Sequence, residues 1–414
     1  MATPQGIAVL APITSGQADA CQRVLDAINS DAEDSVTIDF GAQNRTHFAR
    51  FVILPDLNRG EDAKRLLFSG IYDGSPEDFF RDMLANTSDL DAIWGHCEGW
   101  RGKRHYIEYM DRHNNPTGTF LKGFRFESVQ KIQSYLQLRR DLIKKFDVPV
   151  ADYDKVIRSL PTKPRWQATI QRWWRDASEF LYKVWVTLTI VPELIGLLRF
   201  GATLFEARRY LYDPIEIKRD YSYAPLDKTP PCHPLEEGDE VVPEKTETDL
   251  PQFLNRHQVQ NQMTILTAQD PELIRRQEAM LAYIGTLAKI PFTNRNATIP
   301  TIHFGRWLMI DDSQRMLFLS NYDGSWESYI GDFVDKAANG LDAFWSGGLG
   351  WRDAATLDIE LFKEGIRCHQ TRASYFYSAY PDASVVNIGR ARELARAYAL
   401  NVDEASAREW LTLL

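Results

Sequence analysis

Residues 301–351 read TIHFGRWLMIDDSQRMLFLSNYDGSWESYIGDFVDKAANGLDAFWSGGLGW, and much of this stretch has already occurred once in the chain. His47, Phe48 and Arg50 return as His303, Phe304 and Arg306. Tyr72-Asp73-Gly74-Ser75 returns as Tyr322-Asp323-Gly324-Ser325. Leu90-Asp91-Ala92 and Trp94 return as Leu341-Asp342-Ala343 and Trp345, and Trp100-Arg101 returns as Trp351-Arg352. The offset stays at about 250 residues, far longer than a solenoid unit, so one domain has been used twice.

Hydrophobic periodicity gives both copies the same element order. In the first half, strands are expected over residues 6–13, 46–55, 65–72 and 117–124, with helices over 17–29, from 75 toward 94, and over 127–146. Ser75-Pro76-Glu77-Asp78 has the chemistry of a helix start: a capping hydroxyl, a proline at the first helical position, then acids toward the positive end of the dipole. The second half repeats the pattern, with strands over 263–267, 301–310, 315–322 and 373–380 and helices over 271–287, 326–338 and 386–400. The order β-α-β-β-α-β is that of a ferredoxin-like split unit. One such unit leaves a sheet face uncovered, and a second copy is its natural cover. The expected fold is therefore α+β: two ferredoxin-like (βαββαβ) repeats forming an intrachain α/β barrel, with a helical insertion. The expected domains are 1–150, a Trp-rich apolar insertion at 151–223, an acidic proline-rich linker at 224–254, and 255–414.

The duplicated topology resembles the tandem form of the dimeric α/β-barrel superfamily, remotely that of the dye-decolourising peroxidases and chlorite dismutases. The resemblance implies a haem oxidoreductase whose proximal histidine comes from the second repeat. His369, just ahead of ASYFYSAY, matches that position, so it is the expected metal ligand, with Tyr375 and Tyr377 lining the cofactor. Arg306 and Asp323 are the distal, catalytic candidates. The peroxidase glycine–x–x–aspartate–glycine motif is imperfect here, because Ser320 precedes Asn321-Tyr322-Asp323-Gly324. The strand after His369 carries no arginine. His113 precedes the first copy's fourth strand, so His369 is also explicable as an inherited feature of the fold.

Other motifs have competing readings. Residues kept in both copies, His47, Arg50, His303, Arg306, Asp73 and Asp323, are explained by a shared fold as well as by a shared site. Spacing alone puts His47 and Arg50 on opposite faces of their strand. Asp73 and Asp323 suit acceptors of backbone N–H groups at a turn or helix entry. Trp307, Trp326, Trp345 and Trp351 suit a pocket, but suit core packing at least as well. His96-Cys97 is a weak catalytic signal. The loop 346–350 lets a ligand approach the backbone.

The insertion differs in kind. Residues 165–212 are rich in tryptophan and aliphatics, with Pro192 in the middle and Lys183, Glu193 and Arg199 interrupting the run. That narrowly fails the pattern of a spanning helix. Its basic flanks and tryptophans suit a helix lying in a membrane interface, while a helical hairpin bent at Pro192 and packed on the protein or on a second copy explains it too. Residues 225–251, acidic and proline-rich, lack the apolar content to fold alone.

Bulk composition narrows the partners. A net charge of −9 argues against nucleic acid. The four cysteines are far apart and form no CxxC, and no secretory signal opens the chain, so a reducing, cytoplasmic setting with peripheral membrane contact is expected. The leading expectation is a haem-binding peroxidase-like enzyme acting on a small apolar or peroxide substrate, with homo-oligomers in view. The alternatives are a non-catalytic membrane- or partner-binding protein on an α/β-barrel scaffold and a cofactor-free monooxygenase-like enzyme.

Overall fold

The computed structural model describes residues 4–29, 36–60, 62–115, 118–146, 165–205, 259–290, 299–345, 347–348 and 359–400, with 411 and 413. The linker expected at 224–254, Trp351 and most of the 346–350 loop lie outside the described residues.

The first half comprises β1 (Pro4–Pro12), α1 (Ala18–Asn29), α2 (Phe40–Gln43), β2 (Thr46–Pro55), β3 (Lys64–Asp73), α3 (Pro76–Ala85), α4 (Leu90–Trp94), α5 (Tyr106–His113), β4 (Thr119–Lys122) and α6 (Val129–Phe146). The insertion contributes α7 (Arg165–Gly196). The second half comprises β5 (Gln260–Ala268), α8 (Ile274–Lys289), β6 (Ile302–Ile310), β7 (Arg315–Asp323), α9 (Trp326–Trp345), α10 (Ile359–Cys368), β8 (Tyr375–Ser378) and α11 (Val385–Leu400). The start of α3 is built as its sequence suggests: the Ser75 hydroxyl accepts from the Asp78 N–H and Pro76 opens the helix. The preceding turn needs positive φ, which Gly74 and its counterpart Gly324 supply at 96° and 81°.

The architecture is mixed α+β, with two four-stranded antiparallel sheets of order β1-β3-β2-β8 and β4-β6-β7-β5. Each sheet takes its fourth strand from the other half of the chain. β8 pairs with β2 from Phe48 opposite Ser378 to Phe51 opposite Tyr375. β4 pairs with β6 from Thr119 opposite Trp307 to Lys122 opposite Phe304. Before leaving its own half, each strand's lead-in touches the first strand there, at the bridges Val9–Asn114 and Ile265–Gln370.

Alternation along the strands feeds separate cores. Ile7, Val9, Phe51, Leu66, Phe68 and Tyr72 pack under the first-half helices. Met263, Ile265, Trp307, Met316, Phe318 and Tyr322 do so under α9 and α10. The intervening residues, among them Leu10, Val52, Leu67, Leu308, Leu317 and Leu319, join one apolar cluster shared by both sheets. Because both faces of each sheet are buried, the central strands read as near-continuous apolar runs. At one end, α6 and α11 close over Phe48, Ile71, Phe304 and Tyr380.

The exchange makes the two halves obligate partners. Residues 1–150 and 255–414 produced as separate chains are expected to be insoluble or unfolded alone and to give a soluble one-to-one complex when co-expressed, read by size-exclusion chromatography and circular dichroism. A stable folded monomer from either piece would contradict the shared sheets.

Candidate functional site

The polar centre of the molecule begins with two β-bulges. On β2, Thr46 faces Tyr72 while Phe48 already faces Ile71, so His47 is the extra residue. On β6, Ile302 faces Tyr322 while Phe304 faces Asn321, leaving His303 extra. A bulge breaks the two-residue alternation. The expectation that His47 would face away from Arg50 is corrected for this reason: both side chains enter the space shared by the two halves.

Each histidine meets the aspartate ending the neighbouring strand. His47 Nε2 is 3.2 Å from Asp73 Oδ1, and His303 Nε2 is 2.7 Å from Asp323 Oδ1. The other carboxylate oxygens accept from the first N–H groups of α6 and α11, Val129 N at 2.8 Å and Val385 N at 2.7 Å. An anionic oxygen suits the positive end of a helix, and these first N–H groups have no acceptor within their own helix. Ser128 and Ser384 cap the same helix starts through their hydroxyls, accepting from Lys131 N and Asn387 N. The helix-entry role expected of Asp73 and Asp323 is present, but at the late helices rather than at the neighbouring α3 and α9.

The two dyads differ in one atom. His47 Nδ1 lies 2.9 Å from the Tyr380 hydroxyl. The position equivalent to Tyr380 in the first half is Phe124, whose ring lies 6.0 Å from that of His303. Among the described residues, His303 Nδ1 is accordingly buried without a hydrogen-bond partner. Tyr380 is the polar residue that sequence reading left without a role, although the Phe124–Tyr380 difference between otherwise aligned strands was its signal. Burial, reinforced by Asp73, Tyr377 and Asp323, holds the Tyr380 phenol well above its usual range.

Two arginines cross between the halves. Arg50 donates to Gln262 Oε1 at 2.9 Å, Met263 O at 2.9 Å, Thr264 Oγ1 at 3.3 Å and Ser320 O at 2.7 Å, all in the second half. Arg306 donates to Ile7 O at 2.7 Å and Ser69 Oγ at 3.2 Å, both in the first half. Its guanidinium lies over Gly6, where a β-carbon would come within 2.6 Å of Nε. Desolvation pulls both guanidinium groups down to about 9, Arg50 also through repulsion by Arg306.

A His–Asp pair with a tyrosine hydroxyl is acid–base chemistry in kind. Here both imidazoles have zero exposure and the aspartates are spent on helix starts. The arrangement fastens α6 and α11 to the sheets.

The residues named for haem are not brought together. His369 follows α10, and its Nδ1 lies 2.8 Å from Gly365 O one turn earlier. Its carbonyl accepts from Leu266 N near the end of β5, whereas Asp323 stands opposite Gln260 at the start of that strand. Six strand residues separate these points, about 20 Å. Arg306 is engaged with the first-half strands. Tyr375 and Tyr377 pack on the helix side of β8, with ring centroids 6.1 Å and 4.8 Å from Phe40. As a set these residues do not fit haem, which needs its axial ligand and distal groups within a few ångströms of one iron. His113 and His369 hold equivalent places, each next to a bridge to the first strand of its half. Among the described residues no group of three or more His, Cys, Asp or Glu converges on a point.

The remaining candidates are structural. Trp307 stacks on Phe344 at 4.3 Å, and Trp326 and Trp345 are buried in the same cluster. The Cys21 and Cys97 thiols are buried and pushed up by desolvation, Cys21 to about 12, the opposite of an activated nucleophile. His96 meets Gln17 Oε1 at 3.2 Å.

The helix α7 is the exception to this economy of buried apolar surface. It runs without a break through Pro192, so the expected hairpin is not formed. Residues 176–200, with a mean hydropathy of 1.5, are long and apolar enough to cross a membrane, which corrects the expectation of a narrow failure. Only 11 % of that segment is buried. Trp173, Trp174, Leu181, Trp185, Leu188 and Ile195 are each about 60 % or more exposed. It does not pack on the protein as a core helix would.

Compared with family models, curated proteins and solved structures, the chain matches none.

Supplying the missing hydroxyl by Phe124→Tyr should raise stability by about 1 kcal/mol, and Tyr380→Phe should lower it by about 1–2 kcal/mol, both measured by urea unfolding. The raised phenol of Tyr380 contributes stability that is fully present below pH ~10, the unfolded value, and is lost as pH rises beyond it. Tyr380→Phe should therefore flatten the alkaline limb of the stability–pH curve, and an unchanged limb would exclude a buried neutral phenol.

Proposed function

We propose that this chain is a non-catalytic, membrane-attached binding protein, built on two ferredoxin-like repeats closed into an eight-stranded α/β barrel. The barrel reading is supported by the exchanged fourth strands and by the bridges Val9–Asn114 and Ile265–Gln370, which link the two sheets end to end. The ferredoxin-like reading rests on the β1-β3-β2 and β5-β7-β6 order, in which the third strand lies between the first two of its half.

The observation that carries the functional reading is the exposure of α7. Soluble proteins seldom leave a contiguous apolar patch of such size to water, and patches of this kind serve as interaction surfaces. Tryptophans on an amphipathic helix suit the boundary between headgroup and acyl chain. The polar centre supports the same reading from the other side, since its His–Asp pairs and arginines are sealed and committed to holding the halves together. The haem-enzyme reading loses support because its axial and distal candidates stand apart, and the monooxygenase-like reading because the second-half aromatics pack as core.

Flotation with liposomes of mixed phospholipids tests the function. The full-length protein should float, and Leu181→Asp with Leu188→Asp should cut binding on the order of tenfold or more for each lost side chain. Both positions are exposed, so the melting temperature should stay unchanged. A protein that stays at the bottom of the gradient with every lipid would refute membrane attachment.

A further inference from the structure

The membrane reading leaves open which headgroups the protein meets. We propose that α7 and the cations along its seam with the barrel form one docking face, which selects bilayers carrying anionic phospholipid. This selectivity rests on the proposed membrane attachment and names the lipid class that the attachment takes.

The side chains that α7 exposes recur at helical spacing, so that Ile170, Trp174, Leu181, Leu188 and Ile195 fall on one stripe. The other side of the helix meets the barrel along a seam. Near the middle of α7, Tyr182 and Phe126 have ring centroids 5.2 Å apart. Glu193 pairs at 2.7 Å with Lys289, the last residue of α8. Leu197 and Phe200, just beyond α7, pack on Ala279 and Met280 of α8. Arg275 donates to Arg199 O at 3.2 Å. From Tyr182 to Arg199 the fastened length is about 25 Å. A helix held along that length lies parallel to the surface it enters, because a bilayer core about 30 Å thick would otherwise have to admit the sheets. With the stripe in the acyl boundary, the seam sits at the level of the headgroups.

That seam is cationic. Arg125, next to Phe126, donates to Ala288 O and so stands beside Lys289, whose side chain is half exposed. Arg199 and Arg275 are both exposed at the far end. Lys122 registers the crowding: burial first, then repulsion by Arg125, Lys289 and Arg306, pulls its ammonium down to about 8. Glu193 answers Lys289, and Glu278, one turn from Arg275, is held by the Ser313 hydroxyl. Among the described residues no carboxylate pairs with Arg125, Arg199 or Arg275. The sequence carries the excess further, since residues 165–200 hold five basic residues, Arg165, Arg172, Arg175, Lys183 and Arg199, against three acidic ones. A helix that sets lysine and arginine beside a bulky apolar stripe binds through both, by apolar burial and by attraction to anionic lipid. The net charge of −9 over the whole chain does not cancel this. Charges more than about 8 Å from a headgroup are screened in physiological salt, and the seam is the part that reaches the headgroups.

At physiological salt the full-length protein should bind phosphatidylcholine vesicles containing about one quarter phosphatidylserine roughly tenfold or more tightly than pure phosphatidylcholine vesicles, read by flotation. Raising the salt to about 0.5 M should remove that preference. A lysine or arginine near an anionic leaflet strengthens binding about fivefold, so Arg199→Gln with Arg275→Gln should weaken binding to the phosphatidylserine vesicles on the order of twentyfold and leave binding to pure phosphatidylcholine unchanged. Both arginines are exposed, so the melting temperature of this variant should not move. Glu193→Gln, which takes a carboxylate out of the seam, should strengthen binding to phosphatidylserine vesicles about fivefold. Equal flotation with the two kinds of vesicle, or binding indifferent to salt, would overturn the selectivity and leave membrane attachment standing. No flotation with any vesicle, together with a dimer by analytical ultracentrifugation that Leu188→Asp dissociates, would refute membrane attachment itself and assign the stripe to a second copy.

Discussion

A sheet edge left open in water is an unsatisfied row of hydrogen-bonding groups, and this molecule closes each of two such edges with a strand from its other half. That requirement organises everything else. β2 and β6 end their own three-stranded sets, and β8 and β4 cover them. Once the strands have crossed, the side chains between the sheets belong to both halves. Leu67 and Leu317 share one core, and Arg50 and Arg306 reach across in opposite directions to backbone oxygens of the other half. A guanidinium buried this deeply is tolerated only where acceptors are fixed in advance. The arginines thereby record that the two halves are held in register.

The His–Asp pairs complete this arrangement at the end where the late helices begin. Each aspartate does two jobs, orienting an imidazole and receiving the first N–H of α6 or α11. The repeat preserves the motif because the fold needs it twice. The asymmetry between Tyr380 and Phe124 is where duplication has relaxed: one imidazole has a hydroxyl partner and the other has an aromatic ring in its place.

Much of the fold was legible in the residues. The duplicated motifs gave both halves the same order of elements, and β2 was placed from Thr46 to Pro55 as found. The helix start at Ser75-Pro76 was readable because capping chemistry is local. What was not legible depends on partners distant in sequence. Repeats with the same element order offer β4 two equivalent edges, its own and its twin's, and periodicity cannot choose between them. The bulges at His47 and His303 were hidden because a single inserted residue leaves the apolar pattern nearly intact while turning a side chain to the other face. The separation of His369 from Arg306 and Asp323 was hidden for a related reason. A histidine ahead of a strand looks alike whether it serves a metal or closes a helix, and only the distance along β5 separates the two. In the insertion, composition shows an apolar, Trp-rich run, but Pro192 suggests a bend that the helix does not make, and the packing on α8 depends on residues distant in sequence.

The crossing of strands also sets a timetable. Synthesis runs from the amino end, so β2 is made early and its missing neighbour, Tyr375–Ser378, is among the last strands to emerge. Throughout that interval the first sheet has an open edge, and α7, already made, presents its tryptophans to whatever is near. A nascent chain in that condition needs a surface or a chaperone to occupy it. The helix whose apolar side chains stay exposed in the finished fold is therefore made before the fold that carries it is complete, so those side chains are open to other surfaces while the ribosome is still at work.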